Sequence, residues 1–118
     1  MCYHLIMNFQ IKECLQSDGS SPFGEWFAAL DLAAAAKVSV AVARIEQGNL
    51  SNVAWFRGIG EYKIDWGPGY RVYLAKEGTR IIILLGGGTK KRQQKDIDLA
   101  VELWEDYKQR KQNESKGK

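Results

Sequence analysis

Residues 59–86 read IGEYKIDWGPGYRVYLAKEGTRIIILLG. Side chains along a β-strand alternate between its two faces, and the first part of this stretch alternates. Tyr62, Ile64 and Trp66 fall on one face, while Glu61, Lys63 and Asp65 fall on the other. Gly67-Pro68-Gly69 turns the chain, Tyr70 to Lys76 returns, Glu77-Gly78 turns it again, and Arg80 to Gly86 runs out as RIIILLG. The stretch therefore predicts a three-stranded antiparallel meander. Its unbroken apolar run predicts that the last strand is central and covered on both faces, because an exposed face would require polar alternation. Alternation also turns Arg71 away from the core while Tyr70 and Val72 face into it.

Working outward, NFQIKECL (residues 8–15) reads as a first strand, with Phe9, Ile11 and Leu15 on one face and Gln10, Lys12 and Cys14 on the other. It is the natural neighbour of the apolar strand. Ser21-Pro22 reads as an N-cap followed by proline at the first helical position, and Phe23, Trp26, Phe27 and Leu30 then form one apolar stripe. The segment LAAAAKVSVAVARIEQGN alternates at Val38, Val40 and Val42, yet its alanine run and its Val38, Val42, Ile45 spacing suit a helix. A helix stopped at Gly48-Asn49 is favoured. After the glycines, Ile97, Ala100, Val101 and Trp104 share a stripe on a further helix. The expected architecture is α+β: an N-terminal strand and a helical hairpin packed on an antiparallel sheet of three to four strands, closed by a C-terminal helix. One domain is expected over residues 8–111, with 1–7 a disordered leader and 112–118 a disordered polar tail.

The chain has 118 residues and a formal net charge of +3, which hides an uneven distribution. Residues 1–56 carry three basic and five acidic groups, 57–95 carry nine and three, and 96–118 carry five and six. Positive charge concentrated in the middle suits an anionic partner, nucleic acid or an acidic protein tail; a solvated basic face is the plainer alternative. The sequence has no apolar run long enough to span a membrane, and MCYHLIM lacks the marks of a secretory signal, so the expected location is the cytoplasm. Cys2 and Cys14 lack metal-ligand spacing and are expected as free thiols. His4 is the single histidine and precedes Met7, itself a plausible start. Catalytic sets that need an imidazole, and zinc sites of the usual His/Cys kind, are therefore not expected, nor is any cofactor.

Gly86-Gly87-Gly88-Thr89-Lys90 invites comparison with a phosphate loop, but a Walker pattern requires Gly-Lys-Ser/Thr, and here Lys90 is followed by Lys91. The glycines are expected to let the chain leave the strand and start a helix whose amides, with Lys90 and Lys91, offer an anion site. Lys63 on its strand, Arg71 across the turn, and Lys90, Lys91 and Arg92 after the last strand can converge on one phosphate-sized patch. On spacing alone, the alternative that they splay into solvent or pair with Glu61, Asp65 and Asp96 stays open.

SSPFGEWFAAL, EQGN, GIGEYKIDWGPGYRVY, the apolar strand, the GGxK of residues 87–90 and the QxxDI of residues 93–97 together resemble the addiction-module killer (HigB-like) branch of the RelE/ParE toxin superfamily, over roughly residues 8–108. The resemblance implies a small α+β toxin of a type II toxin–antitoxin system, inhibiting growth and neutralised by a cognate antitoxin, often a helix-turn-helix repressor. RelE-like members cut mRNA on the ribosome without a metal; ParE-like members poison DNA gyrase. An inactive toxin-like protein is a further alternative. Carried over by motif, Arg71 matches the arginine that contacts the scissile phosphate, Lys90 the GGxK lysine, and Gln93 and Asp96 the QxxDI positions; Lys63 stands where a basic residue is frequent. The catalytic candidates are Arg71, Lys90, Lys63 and Lys91, and the RNA- or anion-binding candidates are Arg92, Gln93, Lys95 and Arg57. The histidine or tyrosine that many mRNA-cleaving relatives place near the C-terminus is not matched, since Tyr107 is expected to pack on Trp104.

Overall fold

The computed structural model describes residues 8–116. They form β1 (Gln10–Glu13), α1 (Pro22–Ala28), α2 (Leu32–Glu46), β2 (Val53–Phe56), β3 (Ile59–Ile64), β4 (Tyr70–Glu77), β5 (Ile81–Thr89), a 3-10 turn (Lys90–Arg92) and α3 (Gln93–Lys116). The class is α+β. One five-stranded sheet in the order β1-β5-β4-β3-β2 carries α1 and α2 against one face and α3 against the other.

The meander is present and β1 lies beside β5, with two corrections. The sheet is mixed, because β1 runs parallel to β5, Gln10 opposite Ile81 through Glu13 opposite Leu84; parallel pairing needs a long crossover, which the two helices and the meander supply. It also has five strands rather than three or four, since β2 folds back onto β3. Arg57 (φ 51°) and Gly58 (φ 83°) both take left-handed backbone, the requirement of a two-residue hairpin turn with matching twist. Such turns usually announce themselves as Asn-Gly or Asp-Gly, and arginine in the first position hid the strand.

The helices form where the sequence places them. Ser21 Oγ accepts a hydrogen bond from the Gly24 amide at 2.9 Å, and Asp31 Oδ1 accepts one from the Ala34 amide at 2.8 Å, each satisfying an amide that the first helical turn leaves free. α2 buries Ala34, Val38, Ala41 and Ile45, a helical spacing, while Val40 is 49% exposed. Phe23, Val38 and Ile45 pack on Tyr62, Val72, Leu74, Ile82 and Leu84. On the opposite face Ile97, Ala100, Leu103 and Trp104 pack on Cys14, Tyr73, Ala75, Ile83 and Leu85. β5 thus feeds both clusters in turn, which is why IIILL needs no polar positions; each such fully buried side chain contributes roughly 1.5–3 kcal/mol. In the first strand the expected faces are partly corrected: Cys14 is wholly buried under α3, and Leu15 is 47% exposed because β1 ends at Glu13.

Two expectations near the C-terminus change as well. Gly86, Gly87 and Gly88 belong to β5 rather than releasing the chain from it. Between Tyr73 and Leu74 the register shifts by one, leaving Leu85 as an extra residue, a β-bulge. Beyond it Gly87 lies against Trp26 and Gly88 against Asp96, and a methyl group at either would overlap the indole ring or the carboxylate. α3 runs on to Lys116, so residues 112–116, expected in the tail, are helical; no glycine or proline interrupts them before Gly117. Residues 1–7, with Cys2, His4 and Met7, and residues 117–118 lie outside the described residues. Among the described residues no helix is long and apolar enough to cross a membrane.

Candidate functional site

The β3–β4 turn and the β5–α3 junction meet at one end of the sheet. Lys63 is opposite Arg71, Arg71 is opposite Gly88, and Tyr70 is opposite Thr89. Arg71 is 6% exposed. Its Nη1 donates to the Gly69 carbonyl at 3.0 Å. Its Nε lies 3.4 Å from Glu61 Oε2 without hydrogen-bonding geometry, and it is a buried side-chain atom left with no hydrogen-bond partner. Glu61, 3% exposed, accepts at the same oxygen from the Tyr73 hydroxyl at 3.1 Å and from Gln93 Nε2 at 2.9 Å.

The β3 face expected to be polar and solvated is therefore, at Glu61, the floor of a buried network beneath α3. Neither charge would be stable there alone, since burying an unpaired ion is far costlier than burying a pair. Burial, reinforced by the Glu61 carboxylate, holds the Tyr73 phenol well above its usual range, so Tyr73 stays a donor. Gln93, named among the RNA- or anion-binding candidates, donates to the Glu61 carboxylate.

The remaining cations are on the outside. Lys63, Lys90, Lys91, Arg92 and Lys95 are all exposed, and none forms a salt bridge among the described residues. A Cβ built on Gly69 would stand 3.4 Å from Lys90 Cβ and 3.6 Å from Arg71 Nη1, so this turn brings Lys90 and Arg71 together. Lys91 and Arg92 follow on the 3-10 turn. The Asp96 carboxyl, pressed over Gly88, is raised by burial against the lowering influence of Arg92 and Lys95. Arg57 is not part of the cluster; it pairs with Asp98 of α3 at 2.8 Å. Lys63 and Lys91, considered for proton transfer, are both exposed.

On the other face of the same turn the rings of Trp66 and Tyr70 stack, with centroids 6.1 Å apart and an interplanar angle of 24°. Tyr70 meets Trp26 edge-on at 6.3 Å, and Lys37 Nζ is 5.5 Å from the Trp66 ring centre. Tyr107 stacks on Trp104 as expected, at 5.5 Å, and its hydroxyl donates to Glu77. A groove of about 540 Å³ lies past Asp96, floored by Leu85, Ala100 and Leu103 and rimmed by Asp18, Glu102 and Asp106. Its lining holds carboxylates and no cation, which sets it apart from the cluster.

Sequence reasoning left open that Glu61 pairs with the cations, as it does with Arg71, but missed its burial and missed Tyr73. The available signal was register: pairing Lys63 with Arg71 puts Glu61 opposite Tyr73 and diagonal to Arg71, within reach of a long side chain.

No protein-family model matches the sequence, and no solved structure matches the fold. A Haemophilus influenzae protein described only as uncharacterized is 40% identical over 96 residues, which is 80% of this chain and 91% of that one.

Proposed function

The chain belongs to the same family as that Haemophilus influenzae protein, and we propose that it is the toxin of a type II toxin–antitoxin system of the RelE/ParE kind, acting in the cytoplasm as a ribosome-dependent mRNA endoribonuclease. The observation that carries this is the convergence of Lys63, Arg71 and Lys90 at one end of the sheet, on the segments GPGYRVY and GGGTKKRQQKDI that resemble the superfamily. The reaction is attack of a ribose 2′-oxygen on the adjacent phosphorus, forming a 2′,3′-cyclic phosphate while the 5′-oxygen leaves. Arg71 and Lys90 stabilise the charge that builds on the phosphate. Lys63 or Lys91 takes part in moving the proton from the 2′-hydroxyl to the leaving oxygen, once bound RNA and the ribosome desolvate it.

Lys63 and Lys90 are the residues to test, because both are exposed and dispensable for packing, whereas Arg71→Ala would orphan Glu61. Inducing the wild type should arrest growth and create new mRNA 5′ ends inside coding sequences; Lys63→Ala/Lys90→Ala should abolish both. Arrest without new ends refutes the nuclease.

The burial of Arg71 against Glu61 favours a second reading, in which the basic face binds DNA gyrase and performs no chemistry. Accumulated gyrase–DNA cleavage complexes with intact mRNA would select it, and the absence of any growth defect would instead point to an inactive toxin-like protein. Under each of these the unpaired lysines suit an acidic antitoxin segment, whose grip high salt should weaken.

A further inference from the structure

We propose that Trp66, at the tip of the β3–β4 turn, is a stacking site for one unpaired base of a single-stranded nucleic acid whose phosphates lie on the neighbouring lysines. The inference presupposes that the chain acts on RNA, and adds how it grips the strand.

Trp66 is 37% exposed, a large ring left partly in water. It is also rigidly supported. Trp66 stacks on Tyr70, Tyr70 meets Trp26 edge-on, and Trp26 lies close against Gly87 of β5, so the three rings form a chain of contacts that ends on the sheet. A ring held this way gives up little conformational freedom when a second flat surface covers it. The turn that presents it also presents charge. The Trp66 carbonyl accepts from the Gly69 amide at 3.1 Å, and the Gly69 carbonyl accepts from Arg71 Nη1 at 3.0 Å, with Lys90 alongside. Lys37 stands over the indole; Lys63 and Arg71 lie on the opposite face of the sheet, so the cations nearest the ring are Lys37 and, across the turn beside Gly69, Lys90.

An apolar plate with Lys37 over it and Lys90 across the turn matches a chain that alternates flat bases with phosphates. It suits an apolar protein surface poorly, because docking one would desolvate Lys37 and Lys90 without neutralising them. The bases of a duplex are already covered, so the strand must be single. Lys37 is no obstacle: a cation over an exposed ring is weakly held, and its long stem lets the amine move to a phosphate when a base arrives.

The probe is a short 2′-O-methyl oligonucleotide, which cannot be cleaved, titrated against the full chain with tryptophan fluorescence and with anisotropy of a labelled copy. Wild type should bind with quenching. Trp66→Ala should lose about tenfold or more in affinity while keeping the salt dependence, because the phosphate contacts remain. Trp66→Phe should recover most of the loss, Trp55→Ala, at the other large exposed indole, should bind like wild type, and an oligonucleotide abasic throughout should bind the wild type as weakly as the normal one binds Trp66→Ala. Unchanged affinity in Trp66→Ala, equal binding of the abasic strand, or no oligonucleotide binding while a protein partner shields Trp66 would each overturn the site. Because the probe is uncleavable, the two ideas fail separately. Trp66-dependent binding without mRNA cleavage removes the nuclease alone, and cleavage without Trp66-dependent binding removes the stacking site alone.

Discussion

Changing Glu61 to glutamine would leave Arg71 as an uncompensated cation beneath α3, and the size of the effect follows from the geometry. The two charges are 3.4 Å apart on side chains 8% and 3% exposed. At an effective dielectric of about 20 their attraction is about 5 kcal/mol, much of it offset by the desolvation of both ions. Removing one partner of a buried pair typically costs about 3–5 kcal/mol. Arg71 Nε lacks a true hydrogen bond, which puts Glu61→Gln near the lower end, about 3 kcal/mol. Glutamine is the right substitution because its carbonyl can still accept from Tyr73 and Gln93, so that charge alone is removed. In urea, with a slope of about 1–2 kcal/mol per molar, the unfolding midpoint should fall by roughly 1.5–3 M. Replacing both ends, Glu61→Gln with Arg71→Met, should return most of this and leave the double variant within about 1 kcal/mol of wild type, about 2 kcal/mol more stable than Glu61→Gln alone. A midpoint that moves by less than about 0.5 M in Glu61→Gln, or single costs that simply add in the double variant, would show that the pair does not hold this face together.

Two further outcomes follow from packing. Gly87→Ala should destabilise by about 1–3 kcal/mol, because the added methyl must push Trp26 off the sheet, whereas Gly86→Ala, whose Cβ would meet nothing within 4 Å, should cost under about 1 kcal/mol; equal melting temperatures for the two would contradict this. Burial pushes the Cys14 thiol up to about 11, so in a Cys2→Ser background a thiol reagent at neutral pH should label Cys14 only at the rate of unfolding. Labelling as fast as a free thiol in the native state would contradict its position under α3.

How much could be read in advance depended on whether a signal was local. Ser21-Pro22 and the Phe23-Trp26-Phe27-Leu30 stripe declare α1 within ten residues, and IIILL declares a strand covered on both faces wherever its neighbours lie. Glu61 and Arg71 could not be placed so easily, because polar alternation along β3 and β4 looks the same whether a later helix covers that face or water does. Only α3, thirty-two residues beyond Glu61 at Gln93, decides the matter. β2 was lost to an atypical turn at Arg57-Gly58. In the glycine run the need for small residues was legible, but its cause was misplaced: the approach of Trp26 and Asp96 from opposite sides is a tertiary fact that no window of sequence contains.

The bulge at Leu85 has a consequence for how this chain can vary in length. Pairing is regular on both sides of it, with Leu84 opposite Leu74 and Gly86 opposite Tyr73. Deleting Leu85 would therefore leave every downstream side chain on its present face, whereas a single-residue insertion or deletion elsewhere in β5 would turn part of the strand inside out. Among relatives, a one-residue gap in β5 is expected at this point and at no other, and an alignment that opens one inside IIIL or between Gly88 and Lys90 has been drawn in the wrong frame.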